Sequence, residues 1–189
     1  MFTFLKSFFY KRPNIQHLPE QFIVADLETT GLDSNKHEII EIAAIKVNRD
    51  SNNHVFFTGL VKPKKKIPAK ITSITGITNE MVETDGEAIE SIIPQFLNFI
   101  EELRLVFYNA PFDMSFLNKA ASDLGIKIKN PISDALTMSR QAWPNLPSYK
   151  LTDLAKMGNL DTSGAHRALE DCKMTMTVYG AASTLLKRA

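Results

Sequence analysis

Apolar residues along this chain fall into two kinds of block: short β-branched runs in the first third, and helically spaced positions through most of the rest. Phe22 to Ala25 is a short apolar run that reads as a buried strand. Ile39 to Val47 (IIEIAAIKV) reads as a long second strand and Val55 to Val61 (VFFTGLV) as a third. The polar turn Asp50 to Asn53 between the last two predicts an antiparallel meander. Lys62 to Lys70 is Pro- and Lys-rich and reads as loop. Ile89, Ile92, Ile93, Phe96, Leu97 and Ile100 recur at helical spacing, which predicts a helix over roughly Glu87 to Glu101. Leu105 to Tyr108 is a fourth strand, and Phe112 to Leu124 a helix stopped by Gly125. Ala135 to Gln141 and Leu151 to Met157 read as short helices. From about Ala165 to the C-terminus the pattern is helical, with Gly180 as a candidate interruption. Strands followed by helices, with no repeat or low-complexity linker, predict a mixed-sheet α/β fold. The expected organisation is an N-terminal Phe-rich segment and turn over 1–20 and a single domain over 21–189.

Bulk composition narrows the classes without changing that picture. At 189 residues, 44% hydrophobic and 23% charged, the chain has the size and balance of one globular domain, not of a disordered or membrane protein. Lys+Arg at 22 against Asp+Glu at 21 leaves a net charge of +1, which does not suit a strongly basic nucleic-acid binder. It still permits a nucleic-acid enzyme whose acidic centre cancels part of a basic footprint. The single cysteine, Cys172, excludes an intramolecular disulfide and reads as a buried apolar residue. Phe2, Phe4, Leu5, Phe8 and Phe9 form an amphipathic segment interrupted by Lys6, too short to span a bilayer and followed by no small-residue cleavage pattern. That segment either packs on its own domain or docks on a partner or membrane surface. The expectation is a cytoplasmic protein without stable membrane insertion.

The candidate chemistry lies in carboxylates. The first strand runs into Asp26-Leu27-Glu28, and alternation along an extended chain puts Asp26 and Glu28 on one face. A lone D-x-E is ordinarily a pair of solvated loop acids. Here it has company: Asp113 follows another apolar strand (LVFYN), and Asp171 lies on the last helix after His166. Carboxylates gathered without a counter-ion repel and raise one another's pKa, and divalent metal resolves the conflict. Hard oxygen donors suit Mg²⁺ or Mn²⁺, whereas one Cys and four scattered His lack zinc-site spacing. His166 and Asp171 are five positions apart, about 140° on an ideal helix, so His166 is expected in a first turn or just before it, with Ser163 as N-cap. The competing reading of Asp171 is a helix-surface pair with Arg167 at i,i+4.

Taken together, Asp26-x-Glu28-Thr29-Thr30-Gly31, Asn109-Ala110-Pro111-Phe112-Asp113 and His166-Arg167-Ala168-Leu169-Glu170-Asp171 resemble, in order and spacing, the three motifs of the DEDDh 3′→5′ exonucleases. That group includes the proofreading subunit of bacterial replicative DNA polymerase, ribonuclease T and oligoribonuclease. Ile39-Ile40-Glu41-Ile42, Ile74-Thr75-Gly76-Ile77-Thr78, Asp134 with Leu136, and Tyr149-Lys150-Leu151 are similar too, so the likeness covers roughly Gln21 to Val178. It implies a ribonuclease H-like fold, a five-stranded mixed sheet flanked by helices, with a fifth strand near Lys127 to Ile132. It implies Asp26, Glu28, Asp113 and Asp171 as ligands of two Mg²⁺ or Mn²⁺ ions, with His166 as general base in phosphodiester hydrolysis that yields 5′-nucleotides. The backbone around Thr29 and Thr30 and the residues Gly76, Ile77 and Thr78 would line the pocket for the terminal nucleotide, with Asn109 beside it and Phe112 either packed against a base or anchoring its own helix. Lys62, Lys64, Lys65 and Lys66 could steer the phosphodiester backbone, or serve only as solvated loop charges. Tyr108, where many relatives carry histidine, and Cys172, where alanine is common, are the two departures. The Glu28-Thr29-Thr30-Gly31 and Ile74-to-Thr78 stretches look more like the DNA-proofreading branch, so the expected substrate is a single-stranded DNA 3′ end. The alternatives are a 3′→5′ exoribonuclease, or a non-catalytic nucleic-acid-binding or polymerase-associated module. A polymerase or other protein partner is expected to dock through the N-terminal segment.

Overall fold

In the structure, a computed structural model describing residues 15–187, the central element is the strand that carries the first acidic pair. The Phe-rich segment at 2–9 lies outside the described residues. Strand β1 (Gln21–Thr29) pairs antiparallel with β2 (Ile39–Asn48), which pairs antiparallel with β3 (Val55–Leu60), as the meander predicts. On its other side β1 pairs in parallel with β4 (Leu105–Phe107), and β4 in parallel with β5 (Ile132–Asp134), giving a five-stranded mixed sheet of order β3-β2-β1-β4-β5. β5 therefore lies later than the expected Lys127 to Ile132 and shares only Ile132 with it. β4 is equally short but wholly apolar and buried, whereas β5 (ISD) has no apolar run to register.

Alternation along β1 assigns its two faces. Phe22 and Val24 join Ala43, Ile45 and Val47 of β2 in a cluster with Cys172, Val178 and Tyr179, whereas Ile23, Ala25 and Leu27 join Ile93, Phe96 and Phe116 on the opposite face. The first cluster is covered by α7 (Ala168–Leu186), with α5 (Ala135–Ala142) and α6 (Leu151–Met157) beside it. The second is covered by α3 (Ile89–Ile100) and α4 (Ala110–Asp123). Two short helices, α1 (Ala69–Thr75) and α2 (Asn79–Thr84), occupy a stretch with no helical periodicity of its own. They are held by caps: Gly76 takes φ 73 after α1, and the Thr78 hydroxyl accepts the Met81 N–H at the start of α2. α7 starts at Ala168, not at 165, and runs through Gly180 without a break. Gly180 is buried inside the helix, where packing against the sheet outweighs the propensity cost of glycine. Ser163 is not its cap; it belongs to a local turn in which Asp161 accepts both its N–H and its hydroxyl. Among the described residues, no helix is long and apolar enough to cross a membrane.

Candidate active site

β1 continues as a strand through the acidic pair, so Asp26 and Glu28 point to the α7 face at the end of the sheet's central strand. The β1–β2 register shifts between Glu28 and Thr29, a bulge that ends regular pairing where the acids lie. Asp171, in the first turn of α7, brings a third carboxylate, and single oxygens of Asp26, Glu28 and Asp171 all lie within 4.8 Å of one another. Asp113 stands in the first turn of α4, which covers the opposite face. It is not part of that trio, but it is the strongest-acting charge on Asp26 and is 2% exposed. The structure thus brings all four expected acids to one end of the sheet, three as a tight group and Asp113 adjacent.

The electrostatics show the strain of that grouping. Burial, then Asp113, Asp171, Glu28 and Glu41, push Asp26 well above the ordinary carboxylate range. Burial first, then Asp171, Glu41 and Asp113, raise Glu28 from 4.5 to about 8, with only Arg167 opposing. Burial also raises Asp113, against the backbone N–H groups of Asp113 itself and of Leu27. Asp171 is raised by burial, while the His166 N–H and the His166 charge pull it down. Hard oxygen donors in mutual repulsion are the donor set that a small divalent cation relieves, and the cluster fits a metal site.

His166 lies just before α7, exposed and at φ 67, with its N–H donating to Asp171 Oδ1 at 3.2 Å. The left-handed backbone sets His166 just outside the regular helix, with its N–H in reach of the Asp171 carboxylate. Arg167 does not pair with Asp171. Its guanidinium donates to Glu41 at 2.7 and 3.3 Å, and the Ala168 N–H donates to the same carboxylate at 3.0 Å. Glu41 of β2 faces Glu28 across the strand pair and is 4% exposed. A second structural carboxylate, Asp134, accepts the Asn109 and Ala110 N–H groups at 2.9 and 3.2 Å and those of Leu136 and Thr137 at 3.2 and 3.3 Å. It therefore caps both α4 and α5. Glu41 and Asp134 both lie in family-like stretches of the sequence, but residue type alone gives neither a role. The signals that mark them are one charge inside the apolar run from Ile39 to Ile45 and an acid immediately before a helix.

The residues expected to grip a nucleotide are placed as follows. Thr29 and Thr30 are buried, and both hydroxyls are engaged: Thr29 donates to the Gly31 carbonyl at 2.7 Å, and Thr30 accepts the Glu38 N–H at 2.9 Å. Ile77 is fully buried with Ile40, Ile67 and Val82, and its N–H donates to the Thr75 hydroxyl at 3.1 Å, so it backs the pocket rather than facing a ligand. Gly76 is exposed, and the Thr78 hydroxyl is committed to its cap. Asn109 is exposed in the left-handed conformation, and half-buried Phe112 packs on Phe116 with ring centroids 5.2 Å apart. Lys62 pairs with Glu83 at 2.5 Å, while Lys64, Lys65 and Lys66 are exposed on a loop whose backbone is tied to Glu38. A cleft of about 430 Å³ between that loop and α4 is bordered by His37, Lys64, Phe116 and Lys119. The Tyr108 hydroxyl donates to the Tyr149 carbonyl, so that departure serves as an internal tie. Cys172 is buried with its Sγ 3.5 Å from the Ala43 carbonyl, and burial holds its thiol protonated.

A mixed sheet of this order, with carboxylates at the end of its central strand, is the ribonuclease H-like nuclease fold. The chain belongs to the Exonuclease (RNase T) family, which it matches over residues 23–179. It is 40% identical over 162 residues to the DNA polymerase III PolC-type of Caldanaerobacter subterraneus subsp. tengcongensis, covering 86% of this chain and 11% of that protein. It is 36% identical over 159 residues to the DNA polymerase III subunit epsilon of Aquifex aeolicus, covering 84% of this chain and 78% of that subunit. The chain thus spans only a small part, 11–12%, of the PolC-type relatives it matches. A zinc-bound Escherichia coli exonuclease I–single-stranded DNA complex is similar in fold, with a TM-score of 0.77 at 22% identity over 89% of this chain and 41% of that one. Exonuclease X in complex with 5′-overhanging duplex DNA is similar with a TM-score of 0.69 at 27% identity, over 86% of this chain and 90% of that one.

Proposed function

We propose that this family member is a divalent-metal-dependent 3′→5′ exonuclease that releases 5′-nucleotides from the 3′ end of single-stranded DNA. The observation that carries the reading is the trio Asp26, Glu28 and Asp171, with oxygens within 4.8 Å of one another, and Asp113 beside Asp26. These four acids would hold two Mg²⁺ or Mn²⁺ ions, which when bound supply Lewis-acid stabilisation of the charge that builds on the phosphate and the leaving oxygen. His166, exposed at the rim, takes the proton of the attacking water as the phosphodiester bond breaks. Asp171 accepts the His166 N–H and so orients the histidine. The terminal nucleotide is gripped around Thr29 and Thr30 and by Gly76 and Thr78, with Ile77 packed beneath them and Asn109 and Phe112 against it, and Lys64, Lys65 and Lys66 attract the incoming strand.

DNA is preferred to RNA on the names of the DNA polymerase III relatives and on the DNA in the exonuclease I and X complexes. A non-catalytic module is disfavoured because none of the four acids or His166 is replaced. A polymerase partner, reached through the Phe-rich segment outside the described residues, and a cytoplasmic location accompany the reading. The test is digestion of matched 5′-labelled single-stranded DNA and RNA in Mg²⁺ and in Mn²⁺, beside a chelator control and Asp26→Ala. A DNA ladder shortening from the 3′ end and lost in both controls is expected. A ladder on RNA alone overturns the substrate, and no ladder on either overturns the enzyme.

A further inference from the structure

Glu41 is the one charge in the apolar run of β2 from Ile39 to Ile45 and is 4% exposed. A buried carboxylate is retained only when its oxygens are engaged, and both are. Oε1 accepts from Arg167 at 2.7 Å, and Oε2 accepts from Arg167 Nε at 3.3 Å and from the Ala168 N–H at 3.0 Å. That full engagement keeps it out of the trio of Asp26, Glu28 and Asp171, although it stands across the strand pair from Glu28.

Its partners are not arbitrary. Ala168 is the first residue of α7, and its buried N–H has no other cap, because Arg167 at the N-cap position makes no side-chain cap. The residue before Arg167 is His166, whose left-handed φ of 67 is unfavourable for a side-chain-bearing residue and persists only where its surroundings hold it. Two anchors hold it: Asp171 on its own N–H, and Glu41 on the two residues that follow.

We propose that Glu41 is a positioning residue for the reaction: acting through the Arg167 guanidinium and the Ala168 N–H, it fixes the start of α7 and with it the placement of His166 and Asp171. This rests on the roles given above to those two residues. Outer-shell partners of this kind typically alter activity by 10–100-fold when removed. The expectation for Glu41→Gln is therefore a fall in kcat of about 10–100-fold with KM for the oligonucleotide within about threefold. Gln keeps the shape and one acceptor but loses the charge that grips Arg167.

The experiment combines kinetics with imidazole NMR on the full chain, at a temperature where circular dichroism shows each variant folded. In the metal-free protein, Glu41→Gln is expected to shift or broaden the His166 ring resonance while those of His17, His37 and His54 stay in place. In a His166→Ala background, Glu41→Gln is expected to add less than the logarithmic loss it causes alone, the remainder reflecting the placement of Asp171. Wild-type kcat in folded Glu41→Gln, equal losses in both backgrounds, or displacement of all four histidine resonances would overturn the inference. Should Glu41→Gln not fold, Arg167→Met removes the same bridge from its more exposed end, and wild-type kcat in that variant overturns the inference as well. Failure of the underlying roles looks different: His166→Ala itself would then turn over normally.

Discussion

Replacing Glu28 with glutamine is expected to stabilise the metal-free protein at alkaline pH, although the same change removes a candidate ligand. Burial and the charges of Asp171, Glu41 and Asp113 raise Glu28 from 4.5 to about 8 in the folded chain. A folded pKa above the unfolded one means that the native state binds the proton more tightly. The associated stability is fully present below about pH 4.5 and is lost as pH rises through about 8. The full difference between those values corresponds to roughly 5 kcal/mol, and screening at the open side of the site reduces it to roughly 2–3 kcal/mol. Glutamine has the same shape and never ionises, so it escapes the loss. About 70% of that loss falls between pH 5.5 and 9, so at roughly 2–4 °C per kcal/mol for a chain of this size, wild type should lose about 3–8 °C of Tm relative to Glu28→Gln over that range in chelator. Mn²⁺ should reverse the order at pH 9, because an ion that binds only the folded state stabilises by mass action and displaces the protons the site otherwise retains. The assay is thermal unfolding followed by circular dichroism, in chelator and in Mn²⁺, at both pH values. Parallel Tm–pH curves for the two proteins in chelator would refute the electrostatic reasoning.

His166→Ala should lose about 10²–10⁴ in turnover at neutral pH while keeping its Mn²⁺-dependent rise in Tm, and normal turnover would remove its role as base. Asp134→Ala strips the shared cap from α4 and α5 and should cost roughly 2–4 kcal/mol in urea unfolding, whereas a cost under about 0.5 kcal/mol would show that the cap contributes little. Replacing Lys64, Lys65 and Lys66 together with alanine should flatten the dependence of log KM on log salt by about 0.7 for each phosphate left without a lysine partner, and an unchanged slope would leave the lysines as solvated loop charges. Deleting residues 1–10 should spare hydrolysis of free oligonucleotides and break a polymerase complex, and retention of every partner after deletion would count against docking through that segment.

The parts of this molecule that periodicity reveals are those that a single element determines. The meander of β1 to β3 and the helices α3 to α6 follow from spacing within one segment, and the facing of Asp26 and Glu28 follows from strand alternation alone. β5 and helices α1 and α2 escape it because they carry no apolar run or helical spacing of their own and depend on caps and on a neighbouring strand, unlike the equally short β4 and α6. The reading of Ser163 as a cap fails for a related reason: a serine before a helix is a sound local signal, but here the helix is capped from another strand.

That last failure identifies what a sequence read segment by segment misses in this site. The partner of Arg167 is 126 residues away, and the i,i+4 geometry that offers Asp171 as its partner describes only what one helix can do for itself. Asp171 instead faces Asp26 and Glu28, so a salt bridge to Arg167 would have occupied a candidate metal ligand. With Glu41 supplying the carboxylate for Arg167, Asp171 is left with only the His166 N–H to satisfy and keeps lone pairs for a cation. The same division recurs at Asp113, where Asp134 takes the free N–H groups at the start of α4 and leaves the Asp113 carboxylate to act on Asp26. Each helix that brings an acid to the site is thus held by a different acid from the sheet. The sequence mark of such a holder is a single charge where the pattern asks for an apolar residue, as at Glu41, or an acid that closes a strand and opens a helix, as at Asp134.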